Sequence, residues 1–191
     1  MITLLDRLGA EHRNMARLLH VAERQLDRLA AAERPDYFLL GLLLDYFLDF
    51  PDQVHHPKED MLLGLLQARA PDAAAEIGGL LAEHRDLALR TRRFADAVRE
   101  ISHDGAAMER DELVRLGRDF VDFYFHHMHE ENEIFFPVAA AYLTDADWAS
   151  ADVEGRAGSD PLFGGTADMR FQALEQEIRL MEQEAHEAQN A

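Results

Sequence analysis

The stretch that decides the fold is residues 123–137, which read Phe-Tyr-Phe-His-His-Met-His-Glu-Glu-Asn-Glu-Ile-Phe-Phe-Pro. Because residues four apart in an α-helix lie on the same face, His127 and Glu131 point in the same direction. At helical spacing this face continues in apolar residues, which are Leu116, Phe120, Phe123, Ile134, Phe135 and Val138. His126 and His129 lie on faces with more charged residues. The pair is therefore predicted to face the core, where a metal ion is its expected partner.

The composition favours helices and excludes several kinds of partner. The chain has 191 residues, 48% of them hydrophobic, and a formal net charge of −18. Abundant Ala, Leu, Glu and Arg with little β-branching is typical of helical proteins. The negative charge makes nucleic acid and anionic membrane surfaces poor partners. The sequence contains no cysteine, which excludes disulfides and cysteine-ligated metal sites.

The sequence shows no pattern of a targeting or membrane segment. The first residues, Met-Ile-Thr-Leu-Leu-Asp-Arg, lack a basic region ahead of their short apolar stretch. The longest apolar run, residues 37–44, is too short to cross a bilayer. We therefore expect a soluble, cytoplasmic protein.

Apolar residues at helical spacing predict an all-α fold with long helices. The predicted helices cover about residues 2–29, 35–67, 71–101 and 109–142. Four helices of this length joined by short turns form an antiparallel up-down four-helix bundle over residues 1–143. Pro51 and Pro57 fall inside the second helix, where each removes a backbone donor, so we expect a kink there.

The composition changes after Tyr142, which defines a C-terminal region over residues 144–191. Its first part, residues 145–165, is rich in Gly, Asp and Ser and is predicted to be irregular. Residues 167–188 are predicted to form an amphipathic helix. This helix is expected to pack on the bundle or on a second subunit, so the chain is expected to be a monomer or a homodimer.

A repeat links the two halves of the bundle. Glu11-His12-Arg13 recurs 72 residues later as Glu83-His84-Arg85. The same shift relates His55 to His127 and Glu59 to Glu131. Several matches at one offset imply two helical hairpins related by a pseudo-twofold axis.

Six residues from the four helices are therefore predicted to converge as metal ligands: His12, His55, Glu59, His84, His127 and Glu131. Four imidazoles and two carboxylates exceed the needs of one structural zinc ion and suit two ions. Mixed nitrogen and oxygen ligands favour iron, with manganese or zinc as substitutes. His56 lies on an acidic, solvent-facing stripe unless the proline kink rotates it, and is a reserve ligand. His126 and His129 are predicted to be surface residues with at most an alternate-ligand role.

The ordered motifs resemble those of the hemerythrin-like, HHE cation-binding family. They are Glu11-His12, His55-His56-Pro57-Lys58-Glu59-Asp60, Glu83-His84, and His127 to Glu131 followed by Phe-Phe-Pro. The resemblance implies a four-helix bundle with a carboxylate-bridged, oxo- or hydroxo-bridged di-iron centre. The four histidines would be terminal ligands, with Glu59 and Glu131 as bridges.

The sequence departs from the oxygen-carrying members of that family at Ala88, where they have a further histidine one turn after the third-helix ligand. The set of four His and two Glu is closer to the iron-centre repair proteins, which are linked to nitrosative and oxidative stress. The resemblance therefore implies a di-iron protein that handles O₂, NO or peroxide. The alternatives are an iron store or an iron, redox or oxygen sensor, and a purely structural bundle. Whether the protein is an enzyme stays open.

Overall fold

The computed structural model describes residues 4–104, 108–154, 160–164 and 168–189, and most of them are helical. The helices of the bundle are α1 (Leu4–Ala30), α2 (Tyr37–Phe50), α3 (His56–Arg69), α4 (Pro71–Glu76), α5 (Leu80–Asp104), α6 (Arg110–Glu130) and α7 (Phe136–Tyr142). α1 packs against α2 and α6, and α5 packs against the same two helices. Neighbouring helices run in opposite directions, which confirms the predicted antiparallel four-helix bundle.

The bundle core consists of two hydrophobic clusters at different heights. The large cluster contains Phe47, Phe94 and Phe120, all fully buried. The small cluster, nearer the other end of the bundle, contains Leu8 and Phe135. Each fully buried side chain of this size stabilises the fold by about 1.5–3 kcal/mol. The two clusters leave a layer between them, in which the polar core residues lie.

Two π-helical turns interrupt the long helices, and each comes just before a proline. The first, Pro51–His55, joins α2 to α3, and the second, Glu131–Phe135, joins α6 to α7. Pro57 and Pro137 follow one residue beyond the turns and have no N–H to continue the α-helical bonds. A π turn inserts one extra residue, which rotates the following side chains by about 100° around the helix. The kink predicted near Pro51 and Pro57 is therefore a π turn.

The third predicted helix, residues 71–101, is two helices. α4 ends at Glu76 and α5 begins at Leu80, and Gly78 between them has a φ of +72°. This left-handed conformation suits glycine because a Cβ atom would be strained there. The turn predicted after this helix lies partly outside the described residues.

The segment predicted to be irregular contains a further helix, α8 (Asp145–Glu154). Thr144 and Asp147 form a reciprocal cap at its start. The Thr144 N–H donates to Asp147 Oδ2 at 2.9 Å, and the Asp147 N–H donates back to the Thr144 hydroxyl oxygen at 3.4 Å. Such a Thr-x-x-Asp cap satisfies free donors at a helix N-terminus. The prediction of an irregular segment was wrong here because it relied on Gly and Asp content and overlooked this cap.

The C-terminal helix, α9 (Gln172–Gln189), packs on α1 and α2 of its own chain. Phe171, Leu174 and Ile178 are buried in the large cluster. Arg17 on α1 adds an exposed ion pair with Glu182 at 2.7 Å. Across the part of the chain that the structure describes, no helix has the length and apolar character to span a membrane.

Candidate metal centre

The structure brings the six predicted ligands together in the layer between the two clusters. His12 lies on α1, His55 in the first π turn, Glu59 on α3, His84 on α5, His127 on α6 and Glu131 at the start of the second π turn. Each of the six is at most 7% exposed. Along α1, Leu8 of the small cluster and Met15 of the large cluster lie on either side of His12. Apolar side chains therefore shield the layer from water on both sides.

The potential ligand atoms form two groups. The first group is His12, His55, Glu59 and Glu131, and the second group is His56, Glu59, His84 and His127. Within each group the ligand atoms lie within 4.8 Å of one another. In the first group, the Nε2 atoms of His12 and His55 are only 3.0 Å apart. Glu59 belongs to both groups, which points to two neighbouring metal positions.

The two carboxylates each reach towards both positions. Glu59 Oε1 lies 3.3 Å from His12 Nε2 and 3.2 Å from His55 Nε2, and its Oε2 lies 3.6 Å from His84 Nε2. In Glu131 the two oxygens are exchanged, so that Oε1 faces His84 and Oε2 faces His12. Its Oε1 lies 3.3 Å from His84 Nε2 and 3.1 Å from His127 Nε2, and its Oε2 lies 3.2 Å from His12 Nε2. With this division of oxygens, each carboxylate faces both groups of imidazoles and could bridge two ions.

The donor atoms fit metal ions better than they fit one another. Both oxygens of Glu59, Oε2 of Glu131 and Nε2 of His127 are buried without a hydrogen-bond partner among the described residues. Leaving one buried polar group unpaired costs about 1–3 kcal/mol. Two ligands about 2.1 Å from one ion and at right angles to each other are about 3 Å apart, close to the separations seen here. Metal ions would therefore satisfy atoms that the protein leaves unpaired.

Each of the four candidate ligand histidines is oriented by a hydrogen bond from its other ring nitrogen, Nδ1. The Nδ1–H donors bond as follows: His12 to Asn132 Oδ1 at 3.1 Å, His55 to Glu11 Oε2 at 2.7 Å, His84 to Asp60 Oδ1 at 2.7 Å, and His127 to Glu83 Oε2 at 2.9 Å. These acceptors fix the tautomer in which Nε2 carries the free lone pair. Such oriented imidazoles are typical of metal sites.

The orienting acceptors obey the same 72-residue repeat as the ligands. Glu11 and Glu83 are one equivalent pair, and Asp60 and Asn132 are the other. In every case the acceptor lies on a different helical segment from the histidine it orients. These roles were not predicted from the sequence, although the repeat that relates the candidate ligands also relates the acceptors.

His56 is buried in the second group, which contradicts its predicted place on a solvent-facing stripe. It is 4% exposed, and its ring stacks on His84 with centroids 4.3 Å apart. The first π turn explains the difference, because its extra residue rotates His56 from the acidic stripe into the core. The repeat places Met128 at the equivalent position, so the second group has an imidazole that the first lacks.

The remaining histidines of the 123–137 stretch lie outside the layer. His126 and His129 are both exposed, as predicted. Ile134 was predicted to face the core but is 45% exposed. It lies within the second π turn, which changes the phase of the helix after Glu131.

The metal-free layer is held together by charge. Burial lowers the pKa of His12, but the carboxylates of Glu131 and Glu59 outweigh burial and raise the pKa to about 10. Burial is likewise outweighed at His84, where Asp60 and Glu131 raise the pKa to about 10. Burial raises the pKa of Glu131, but the surrounding imidazoles lower it well below its ordinary value. A metal ion entering this layer therefore displaces protons from the imidazoles.

The bundle and its buried His and Glu layer define a class, the helical-bundle proteins with a metal site in their core. The Hemerythrin HHE cation binding domain model matches residues 3–139, which is most of the chain. The chain therefore belongs to this family. No curated protein and no solved structure matches it.

Proposed function

We propose that this protein binds two iron ions in the layer and uses them to handle O₂, NO or peroxide in a stress response or in iron-centre protection. The observation that carries the proposal is the division of the carboxylate oxygens. Each of Glu59 and Glu131 directs one oxygen to the His12 side and the other to the His84 side. A single ion would not need this arrangement, whereas two carboxylate-bridged ions do.

The first position would be held by His12 and His55, and the second by His84, His127 and His56, with both glutamates shared. Nitrogen and oxygen donors without thiolates suit iron, with manganese or zinc as substitutes. Bound iron would supply one-electron chemistry and open coordination positions for a small molecule. The chain supplies orientation through the Nδ1 bonds and shielding through Phe136, which stacks on His12 with ring centroids 5.3 Å apart.

A cleft gives small molecules a route to the second position. It has a volume of about 300 Å³ and reaches both His56 and His84 between α2, α3 and α5. Ala88 lines this cleft, at the position where the oxygen-carrying relatives have a further histidine. The small side chain keeps the route open, which supports a role in binding an external ligand.

The proposal is tested by metal analysis and by ligand addition. Protein from iron-supplied cells is expected to contain about two irons per chain. Adding NO or peroxide anaerobically to the reduced protein should change its visible absorption. Well under one metal per chain would overturn the metal-binding proposal. Two bound irons with an unchanged spectrum would reject the ligand-handling part and favour the iron store or sensor.

A further inference from the structure

The two sides of the layer differ in charge at one pair of equivalent positions. Lys58 follows the first π turn, and the residue 72 positions later is Glu130, beside the second. Both residues are next to a bridging glutamate in the sequence, Glu59 and Glu131 respectively. The repeat thus places opposite charges at equivalent positions, one beside Glu59 and the other beside Glu131. The region of each hairpin between the surface and its glutamate is called its approach below.

The approach on the first hairpin is closed by an ion pair. Lys58 Nζ lies 3.0 Å from Glu11 Oε1, and the lysine is 7% exposed. The ammonium also lies 5.7 Å from the centre of the Phe50 ring. A buried cation at this point repels an incoming metal ion and occupies the Glu11 carboxylate.

The approach on the second hairpin is acidic and contains a small cavity. A cavity of about 20 Å³ is lined by Glu83, Glu130 and Glu131 together with apolar residues that include Ile77 and Ile134. Its volume is enough for about one water molecule. The three carboxylates are exposed to decreasing degrees, with side-chain exposures of 43% for Glu130, 27% for Glu83 and 1% for Glu131. They form a path from the surface to the layer.

The inner end of this path is Glu131, whose two oxygens face both candidate metal positions. Its Oε2 has no hydrogen bond among the described residues, and it lies 3.2 Å from His12 Nε2. At the outer end, no Lys or Arg of the described residues forms an ion pair with Glu130, and its contact is the exposed His126 imidazole at 3.7 Å. Such an exposed pair contributes little. A divalent cation can therefore exchange water ligands for carboxylate oxygens along the path.

We propose that this acidic cavity is the route by which a divalent metal ion, ferrous iron in particular, enters the metal centre. The inference rests on the proposed metal-binding function and adds where the ion enters. The net charge of −18 attracts cations to the whole surface. A cation attracted to the surface can reach Glu131 through the cavity, while Lys58 occupies the equivalent position beside Glu59.

The test compares rates of metal uptake. The full chain is freed of metal with a chelator and mixed anaerobically with ferrous iron at low ionic strength, and a chromogenic ferrous chelator measures the free iron over time. Glu130→Lys recreates the Lys58 arrangement on this side and is expected to slow uptake about tenfold. The final iron content should stay the same, because Glu130 is not a ligand in the layer.

Glu133→Lys is the matched control. Both Glu→Lys changes alter the net charge by the same amount. Glu133 is exposed and lies three residues from Glu130, but it does not line the cavity. Its uptake rate should stay within about twofold of the wild type. Equal slowing in both variants, or wild-type uptake by Glu130→Lys, would overturn the entry route. If Glu130→Lys is misfolded by circular dichroism, Glu130→Gln replaces it, and uptake at the wild-type rate would again reject the route.

The outcome also separates this inference from the function on which it rests. A wild-type chain that takes up no iron would overturn the proposed function and the route together. A wild-type chain that loads iron, with a variant that loads equally fast, would overturn the route alone.

Discussion

The two hairpins of the bundle carry nearly the same candidate ligand residues and differ in the residues around them. The shared set consists of two histidines, one glutamate and an orienting glutamate in each hairpin, all 72 residues apart. The equivalent residues that differ include His56 and Met128, Lys58 and Glu130, and Asp60 and Asn132. The shared set creates two similar positions, and the differing set makes those positions unequal in ligands, access and charge.

The difference between the hairpins has a structural cause as well as a sequence cause. The first π turn ends at His55, whereas the second begins at Glu131. The extra residue therefore comes before the ligand pair in the first hairpin and after it in the second. This shift turns His56 inward on one side and Ile134 outward on the other. The pseudo-twofold axis thus relates the ligands but not the backbone around them.

The largest expected effect comes from breaking what the hairpins share. Glu131→Ala removes a carboxylate that reaches both positions, so iron content should fall from about two ions per chain to below about one. Inductively coupled plasma analysis of the purified variant measures this. His129→Ala and Glu133→Ala are the controls, since both residues are exposed in the same stretch, and their iron content should equal the wild type. Full iron occupancy in Glu131→Ala would contradict the ligand assignment.

A smaller effect should follow from making the hairpins alike. His56→Met copies the equivalent Met128 and removes the third imidazole from the second position. Affinity for one of the two ions should fall about 10–100-fold, with the other unchanged. Titration of metal-free protein with ferrous iron should then separate into two steps. A single-step titration identical to that of the wild type would show that His56 is not a ligand.

The smallest effect concerns the stability of the metal-free layer against pH. The raised pKa values of His12 and His84, each about 10, and of His127, about 9, stabilise the folded state fully below their ordinary value of 6.5. This contribution is lost as the pH rises through 9 and 10. The melting temperature in excess chelator should therefore fall by several degrees between about pH 6.5 and 10.

The same pH series on the iron-loaded protein is the control for general charge repulsion. Its imidazoles are neutral ligands, so its melting temperature should change less over this range. Equal slopes for the two forms, measured by calorimetry, would show that the ligand histidines do not carry the effect.

Much of the bundle, and the candidate ligand set that the structure brings together, could be predicted from the sequence because both depend on helical periodicity. Apolar residues repeat along each helix, and His55, Glu59, His127 and Glu131 keep the i, i+4 spacing that places pairs on one face. The 72-residue repeat then selected these residues over His126 and His129. Helical spacing and a fixed offset along the chain are both properties of the sequence, so they can be recognised without a structure.

The tertiary structure alone decided which neighbours complete the layer. His56 faces inward because a π turn shifts the helix phase, and such turns depend on backbone hydrogen bonding that residue spacing does not encode. Asp60 and Asn132 orient histidines of other helical segments, which requires the packing of the bundle. The acidic cavity beside Glu130 likewise exists only because α5 and the second π turn meet there. Sequence determined the candidate ligands, and packing determined how they are oriented and where the two hairpins differ.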